Sequence, residues 1–232
     1  CELLLVPYEN AGARVPSFYI MENKVWNQLF AIFNEQHLQT HPDQEGTPAW
    51  PDDWQRLGAA KGADDLPADA APLHPVMRVG YPQSQQFAAW LGGKLPTCQQ
   101  WDTAAGFYLP LASQRQGPFQ GEWKETLADR PEIAVDRVEQ GPLPVGTARD
   151  DVSPHGVRDL SGNGAEWTRD ASSGQFSTIM LRGRRYDKLL PLYYDHLREE
   201  KQQLDPQQHN EIDSEDPEAT SPYIGFRIVI EP

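Results

Sequence analysis

Apolar residues gather in short runs separated by polar or Pro-rich stretches, a pattern that predicts many short elements joined by ordered loop. Glu2-Leu-Leu-Leu-Val-Pro7 reads as a buried strand and Ser17-Phe-Tyr-Ile-Met21 as a second, each bounded by Pro or polar residues. From Val25 to Gln36 the apolar positions Val25, Trp26, Leu29, Phe30, Ile32 and Phe33 recur at helical spacing, which predicts a helix with its aromatic face inward. Pro82 suits the first turn of a helix running through Phe87, Ala88 and Trp90 to Leu91, and Gly92-Gly93 ends it. Thr97-Cys-Gln-Gln100 fits a capping box, because the Thr97 hydroxyl and the Gln100 amide can each satisfy a free backbone N–H at the start of a helix carrying Trp101. The closing run Ile224–Ile230 predicts a strand that returns beside the N-terminal one. Trp26, Phe30, Trp90, Trp101, Trp167 and Phe226 are the expected core.

Composition narrows this picture. A chain of 232 residues with 38% hydrophobic residues can bury a real core, and one domain over 1–232 is expected. No apolar stretch approaches the roughly 18 residues of a membrane helix, so no membrane contact by this domain is expected. With 21 Pro and 18 Gly there is little room for long elements. Thr40 to Pro75, with Trp50 and Trp54, reads as irregular but packed. Asp205 to Glu218 holds six carboxylates and no Lys or Arg, which predicts a mobile, solvated excursion. The net charge of −14 repels a polyanion and argues against nucleic acid as a partner. Cys1 and Cys98 alone make neither a disulfide scaffold nor a zinc site of the usual spacing. A start at Cys suits a processed chain or a lipidated mature end, although the apolar run Leu3–Val6 follows with no flexible tether.

Several strings, in order, resemble one family. They are Phe18-Tyr-Ile20 with Val25-Trp-Asn27, Pro75-Val76 with Trp90, Leu95-Pro-Thr-Cys-Gln-Gln-Trp101, Pro144-Val-Gly146, Gly156-Val-Arg-Asp-Leu-Ser-Gly-Asn-Gly-Ala-Glu-Trp167, Leu181-Arg-Gly183 and Ile224-Gly-Phe-Arg227. Together they are similar to the formylglycine-generating enzyme, or sulfatase-modifying-factor, domain. The resemblance implies a C-type-lectin-like fold, α+β and rich in irregular loop.

It also implies a structural calcium site at Asn163, Gly164 and Glu166, with backbone oxygen from Gly164 and Ala165. The residue types agree: an amide oxygen and a carboxylate are hard ligands, and Gly164 lets the backbone bend. The competing reading is that Asn163 caps a turn and Glu166 pairs with an Arg. The family usually carries a large residue where Ala165 stands. Its second calcium site maps to Ile133-Ala-Val-Asp136, where Asp136 alone is a suitable ligand, and is not expected here.

The family's oxidase chemistry needs two cysteines beyond an Arg-Gly-Gly-Ser-type strand, since thiolates bind copper(I) and engage a substrate thiol. Here Met180-Leu-Arg-Gly-Arg-Arg-Tyr186 is followed by Asp187-Lys-Leu-Leu-Pro-Leu-Tyr193, and no cysteine follows Cys98. Copper and formylglycine generation are therefore not expected. The alternative enzyme reading is an iron-dependent oxidase using His37 and His41, which share a helical spacing, with a third ligand brought near by folding. His74, His155, His196 and His209 are isolated in sequence.

The wording of the later motifs resembles a bacterial subgroup found as sensor-like, extracytoplasmic parts of larger chains, including Ser/Thr protein kinases. A non-catalytic binding or sensor module, membrane-tethered through such a parent chain, is the expectation. Beyond the Leu181-Arg-Gly183 strand the chain carries Arg182, Arg184, Arg185, Tyr186, Lys188, Tyr193 and Tyr194 on an otherwise acidic molecule. Arg184, Arg185 and Tyr186 are the candidate ligand site, for a peptide carboxylate or a glycan. The bland alternative is that these arginines neutralise the 205–218 run.

Overall fold

A computed structural model describes residues 1–7, 15–40, 71–110, 116–124, 126, 131–171, 178–202, 214–215 and 221–232. Strands β1 (Leu3–Val6) and β2 (Phe18–Met21) pair antiparallel, with Leu3 opposite Met21. Helix α1 (Asn27–Thr40) follows, then a 3-10 turn at Ala71–Leu73 and helices α2 (Tyr81–Trp90) and α3 (Cys98–Ala104). After a long irregular stretch come β3 (Gly164–Ala171), β4 (Ile179–Arg184), helix α4 (Tyr194–Gln202), and the short strands β5 (Ser214–Glu215), β6 (Ile224–Gly225) and β7 (Val229–Ile230). The described strands form a three-stranded sheet, β1-β2-β7, and a four-stranded sheet, β5-β4-β3-β6.

The local signals act where they were read. Thr97 Oγ1 accepts from Gln100 N at 3.0 Å and Gln100 Oε1 accepts from Thr97 N at 2.9 Å, a reciprocal cap that fixes the start of α3. Helix α2 ends at Trp90, and Gly92 takes φ +80°, the left-handed turn a glycine permits without cost. Helix α1 starts later than its apolar pattern suggests. Val25 and Trp26 are extended instead: Val25 N donates to Phe226 O at 2.9 Å, and Trp26 bridges Pro75.

The closing run differs more. Ile224–Gly225 pairs parallel with Ala165–Glu166, whereas Val229–Ile230 pairs antiparallel with β2 and not with β1. Between them Phe226, Arg227 and Ile228 cross from one sheet to the other, all fully buried. Gly225 lies so close to Val76 that an added Cβ would stand 2.7 Å from its carbonyl oxygen.

Phe30, Phe87 and Phe226 form the centre of the larger apolar cluster, with Phe87 and Phe226 edge to face at 5.3 Å. Trp101 and Trp167 are fully buried, while Trp26 and Trp90 only flank that core. The region 41–70, with Trp50 and Trp54, lies outside the described residues. So does most of the expected acidic excursion at 205–218, of which Ser214–Glu215 pairs with β4 as a strand. No helix among the described residues is long and apolar enough to cross a membrane.

Candidate functional site

Strand β3 is central in its sheet, so Glu166 points into the molecule with no exposure. Its carboxylate meets Arg227 as a fork, Nε to Oε2 at 2.7 Å and Nη2 to Oε1 at 2.9 Å. The Lys24 ammonium pairs with Oε1, and the Trp101 indole N–H donates to Oε2 at 3.2 Å. Burial alone would raise the Glu166 pKa, but Arg227 and Lys24 outweigh it and hold the group below the ordinary carboxylate range. Burial pulls the Lys24 ammonium down from the usual lysine range, against the raising field of Glu166. Two further carboxylates lie alongside. Asp159 accepts from Gly146 N at 2.9 Å, and Asp151 accepts from Ser161 N at 2.9 Å. Burial, then the Asp159 charge, pushes Asp151 up to about 7.

The expected calcium residues Asn163, Gly164 and Glu166 each meet partners within this chain. Asn163 at φ +61° and Gly164 at φ +103° turn the chain into β3. Asn163 Oδ1 accepts from Leu143 N at 2.8 Å and its Nδ2 donates to Leu143 O at 3.0 Å, so its amide serves that backbone. Glu166 is engaged by Arg227, as the competing reading had it, and also by Lys24. Gly164 O accepts from Lys24 Nζ at 3.0 Å.

The candidate ligand residues Arg184, Arg185 and Tyr186 follow one another out of β4 but face different surroundings. Arg184 Nε donates to Leu190 O at 3.0 Å. Arg185 forks onto Asp187, Nε to Oδ1 at 2.9 Å and Nη2 to Oδ2 at 2.6 Å, while its guanidinium lies 4.0 Å over the Tyr223 ring. Tyr186 is largely buried against Tyr223, with ring centroids 5.1 Å apart, and burial pushes its phenol up to about 12. Arg182, grouped with these cations in the sequence, turns inward and donates from Nε to Asp102 at 2.9 Å. The bland pairing with 205–218 falls almost wholly outside the described residues; the described carboxylate on Arg185 is Asp187.

The sequence missed two members of this surface. Arg78 holds φ +57° and its charge opposes the rise of the Tyr186 pKa, while its backbone N–H donates to Ser221 O at 3.0 Å. Tyr223 precedes the Ile224–Arg227 motif. Nothing in the local pattern marks either; only the β3–β6 pairing brings their segments to the end of β4. Lys188, Leu189 and Leu190 lie exposed beside them.

Of the two free cysteines, Cys1 is exposed and Cys98 is not. Cys98 is buried, its Sγ lies 3.4 Å from Thr168 Oγ1, and burial pushes the thiol up to about 12. The His37 and His41 side chains lie outside the described residues, as does His209. His74 is buried, and His196 Nδ1 accepts from Tyr193 N at 3.2 Å. Among the described residues no group of His, Cys, Asp or Glu is placed to hold a metal ion. A cleft of about 580 Å³ lies elsewhere, lined by Val15–Phe18, Gln100, Arg169 and Glu231, where Arg169 and Glu231 are already paired.

The chain is 29% identical over 133 residues to a hercynine oxygenase of Mycobacterium tuberculosis, covering 55% of this chain and 29% of that protein. It is 33% identical over 114 residues to a formylglycine-generating enzyme of the same organism, covering 46% of this chain and 36% of the relative. It thus spans about a third of the length of these curated relatives. Among solved structures, CarF matches with a TM-score of 0.55 at 17% identity, over 100% of this chain and 94% of that one. PvdO from Pseudomonas aeruginosa matches with a TM-score of 0.55 at 17% identity, over 100% and 91%. These likenesses show the fold, which is α+β and of the formylglycine-generating-enzyme type. Residues 7–232 match the sulfatase-modifying factor enzyme 1-like domain, and the chain belongs to that family.

Proposed function

We propose that this chain is a non-catalytic binding module that recognises an anionic peptide at the surface formed by Arg78, Arg184, Arg185, Tyr186 and Tyr223. One observation carries the reading: cationic and aromatic side chains from three separate segments converge beside exposed Lys188, Leu189 and Leu190. Asp187 holds the Arg185 guanidinium over Tyr223, a preorganised arrangement that loses little side-chain freedom on binding. Carboxylates of a peptide would meet the cations, and its apolar side chains would meet the two leucines. The absence of any cysteine after Cys98 supports a role without thiol chemistry.

The module is further proposed to serve a larger bacterial chain on its extracytoplasmic side, of the kind that carries a Ser/Thr protein kinase, with membrane tethering through that parent. The motif wording supports this. A panel of acidic peptides and glycans is titrated against wild type and the Arg184→Ala, Arg185→Ala double variant. Weakening of peptide binding by tenfold or more, about 1.4 kcal/mol, supports the site. Undiminished binding places the ligand elsewhere, and binding of glycans alone replaces the peptide reading.

The likeness to hercynine oxygenases favours a second reading, an iron-dependent oxidase using His37 and His41. Stoichiometric iron in the purified protein, lost in a His37→Ala, His41→Ala variant, would favour it over the binding module.

A further inference from the structure

The Lys24 ammonium donates to Gly164 O at 3.0 Å and pairs with Glu166 Oε1. These are two of the three residues at which the family resemblance implies calcium, and both offer the hard oxygen such an ion takes. A second acidic group attracts the same ammonium: Asp159, whose Oδ2 accepts from Gly146 N and whose Oδ1 is buried without a partner among the described residues. Lys24 itself is fully buried. An ammonium is costly to take out of water, and the cost is recovered only where acceptors already converge.

We propose that Lys24 is a resident cation: its ammonium stands where a calcium ion would, and this chain holds its Gly164–Trp167 segment without metal. Charge supports the assignment. Glu166 already faces an ammonium and a guanidinium, and a divalent ion entering beside them is repelled by both. A bound ion stabilises in proportion to its concentration over its dissociation constant, whereas a cation on a side chain is always present. Folding itself delivers it, from the loop after β2. Removing the Lys24 side chain leaves Gly164 O and Glu166 at the volume it filled, within the field of Asp159, and that volume becomes a calcium site.

Melting and terbium luminescence of the whole chain test this in wild type, Lys24→Met and Lys24→Ala. Terbium stands in for calcium and is excited through Trp101, whose indole N–H touches Glu166 Oε2. Wild type is expected to melt at the same temperature in chelator and in millimolar calcium, and to give no saturable terbium emission. Lys24→Met keeps the stem and loses the charge; it is expected to melt roughly 6–12 °C lower and to ignore calcium. Lys24→Ala is expected to recover part of its loss with calcium and to sensitise terbium. A wild-type midpoint that falls on chelation, or stoichiometric terbium emission from wild type, overturns the proposal. So does a folded Lys24→Ala that is indifferent to calcium. If that variant does not fold, the wild-type arms still decide.

Discussion

Arg227 and Arg185 grip carboxylates in the same way, each through Nε and Nη2 onto both oxygens of its partner, yet they sit in opposite surroundings. The Arg227–Glu166 pair is fully buried, with Lys24 and Trp101 completing its shell. The Arg185 side chain keeps 35% of its exposure and lies over an aromatic ring. Geometry is therefore no guide to what an ion pair does. The inner pair fixes how the closing segment crosses between the two sheets, and its loss strands a charge. The outer pair is screened by water, contributes little to stability, and leaves its cation where a ligand can meet it.

Arg227→Met should give the largest effect, because Glu166 then keeps a buried charge with Lys24 alone. A loss of about 3–5 kcal/mol is expected by denaturant unfolding. A loss under about 1 kcal/mol would erase the contrast between the two pairs.

A pH series separates the inner region further. Asp151 has its pKa raised to about 7 by burial and by Asp159, so its protonated form is the one the folded state favours. Its contribution is fully present below the unfolded carboxylate range near pH 4 and is lost as pH rises through about 7. Glu166, held low, acts in the opposite sense: its contribution is present above the unfolded value of 4.5 and lost as pH falls. Between pH 4 and 7 wild type should therefore lose stability relative to Asp151→Asn, by a few kcal/mol, while Glu166 cancels in that comparison. Parallel pH curves for the two proteins would show that Asp151 titrates normally.

Gly164→Ala probes the backbone between the regions. Gly164 holds φ +103°, and an added Cβ would stand 2.4 Å from Met77 Cε. A loss of about 1–3 kcal/mol is expected in chemical unfolding. The smallest effect belongs to the outer pair: Arg185→Ala should cost at most about 1 kcal/mol while weakening peptide binding. Differential scanning calorimetry beside a binding titration checks both halves.

Legibility followed the distance over which a signal acts. Thr97 and Gln100 are a few positions apart, so the cap that starts α3 could be read from the residues alone. The end of α2 at Gly92 is local in the same way. Lys24 and Glu166 are 142 positions apart, and nothing near Lys24 announces that it will be buried. The ion centre was half visible, since an Arg partner for Glu166 was one of two readings; the buried lysine beside it was not. Tyr186, a candidate ligand residue in the sequence, is packed against Tyr223 from the far end of the chain. The split of Ile224–Ile230 was hidden because an unbroken apolar run looks the same whether it serves one sheet or two.

The account rests most on Glu166 being neutralised by side chains of this chain. A double-mutant cycle of Lys24→Met with Glu166→Gln, read by urea unfolding at neutral pH in chelator, measures that directly. A coupling of about 2–3 kcal/mol is expected, with the double variant more stable than the sum of the single losses allows. A coupling below about 0.5 kcal/mol would mean that Lys24 and Glu166 do not hold one another, and would contradict it.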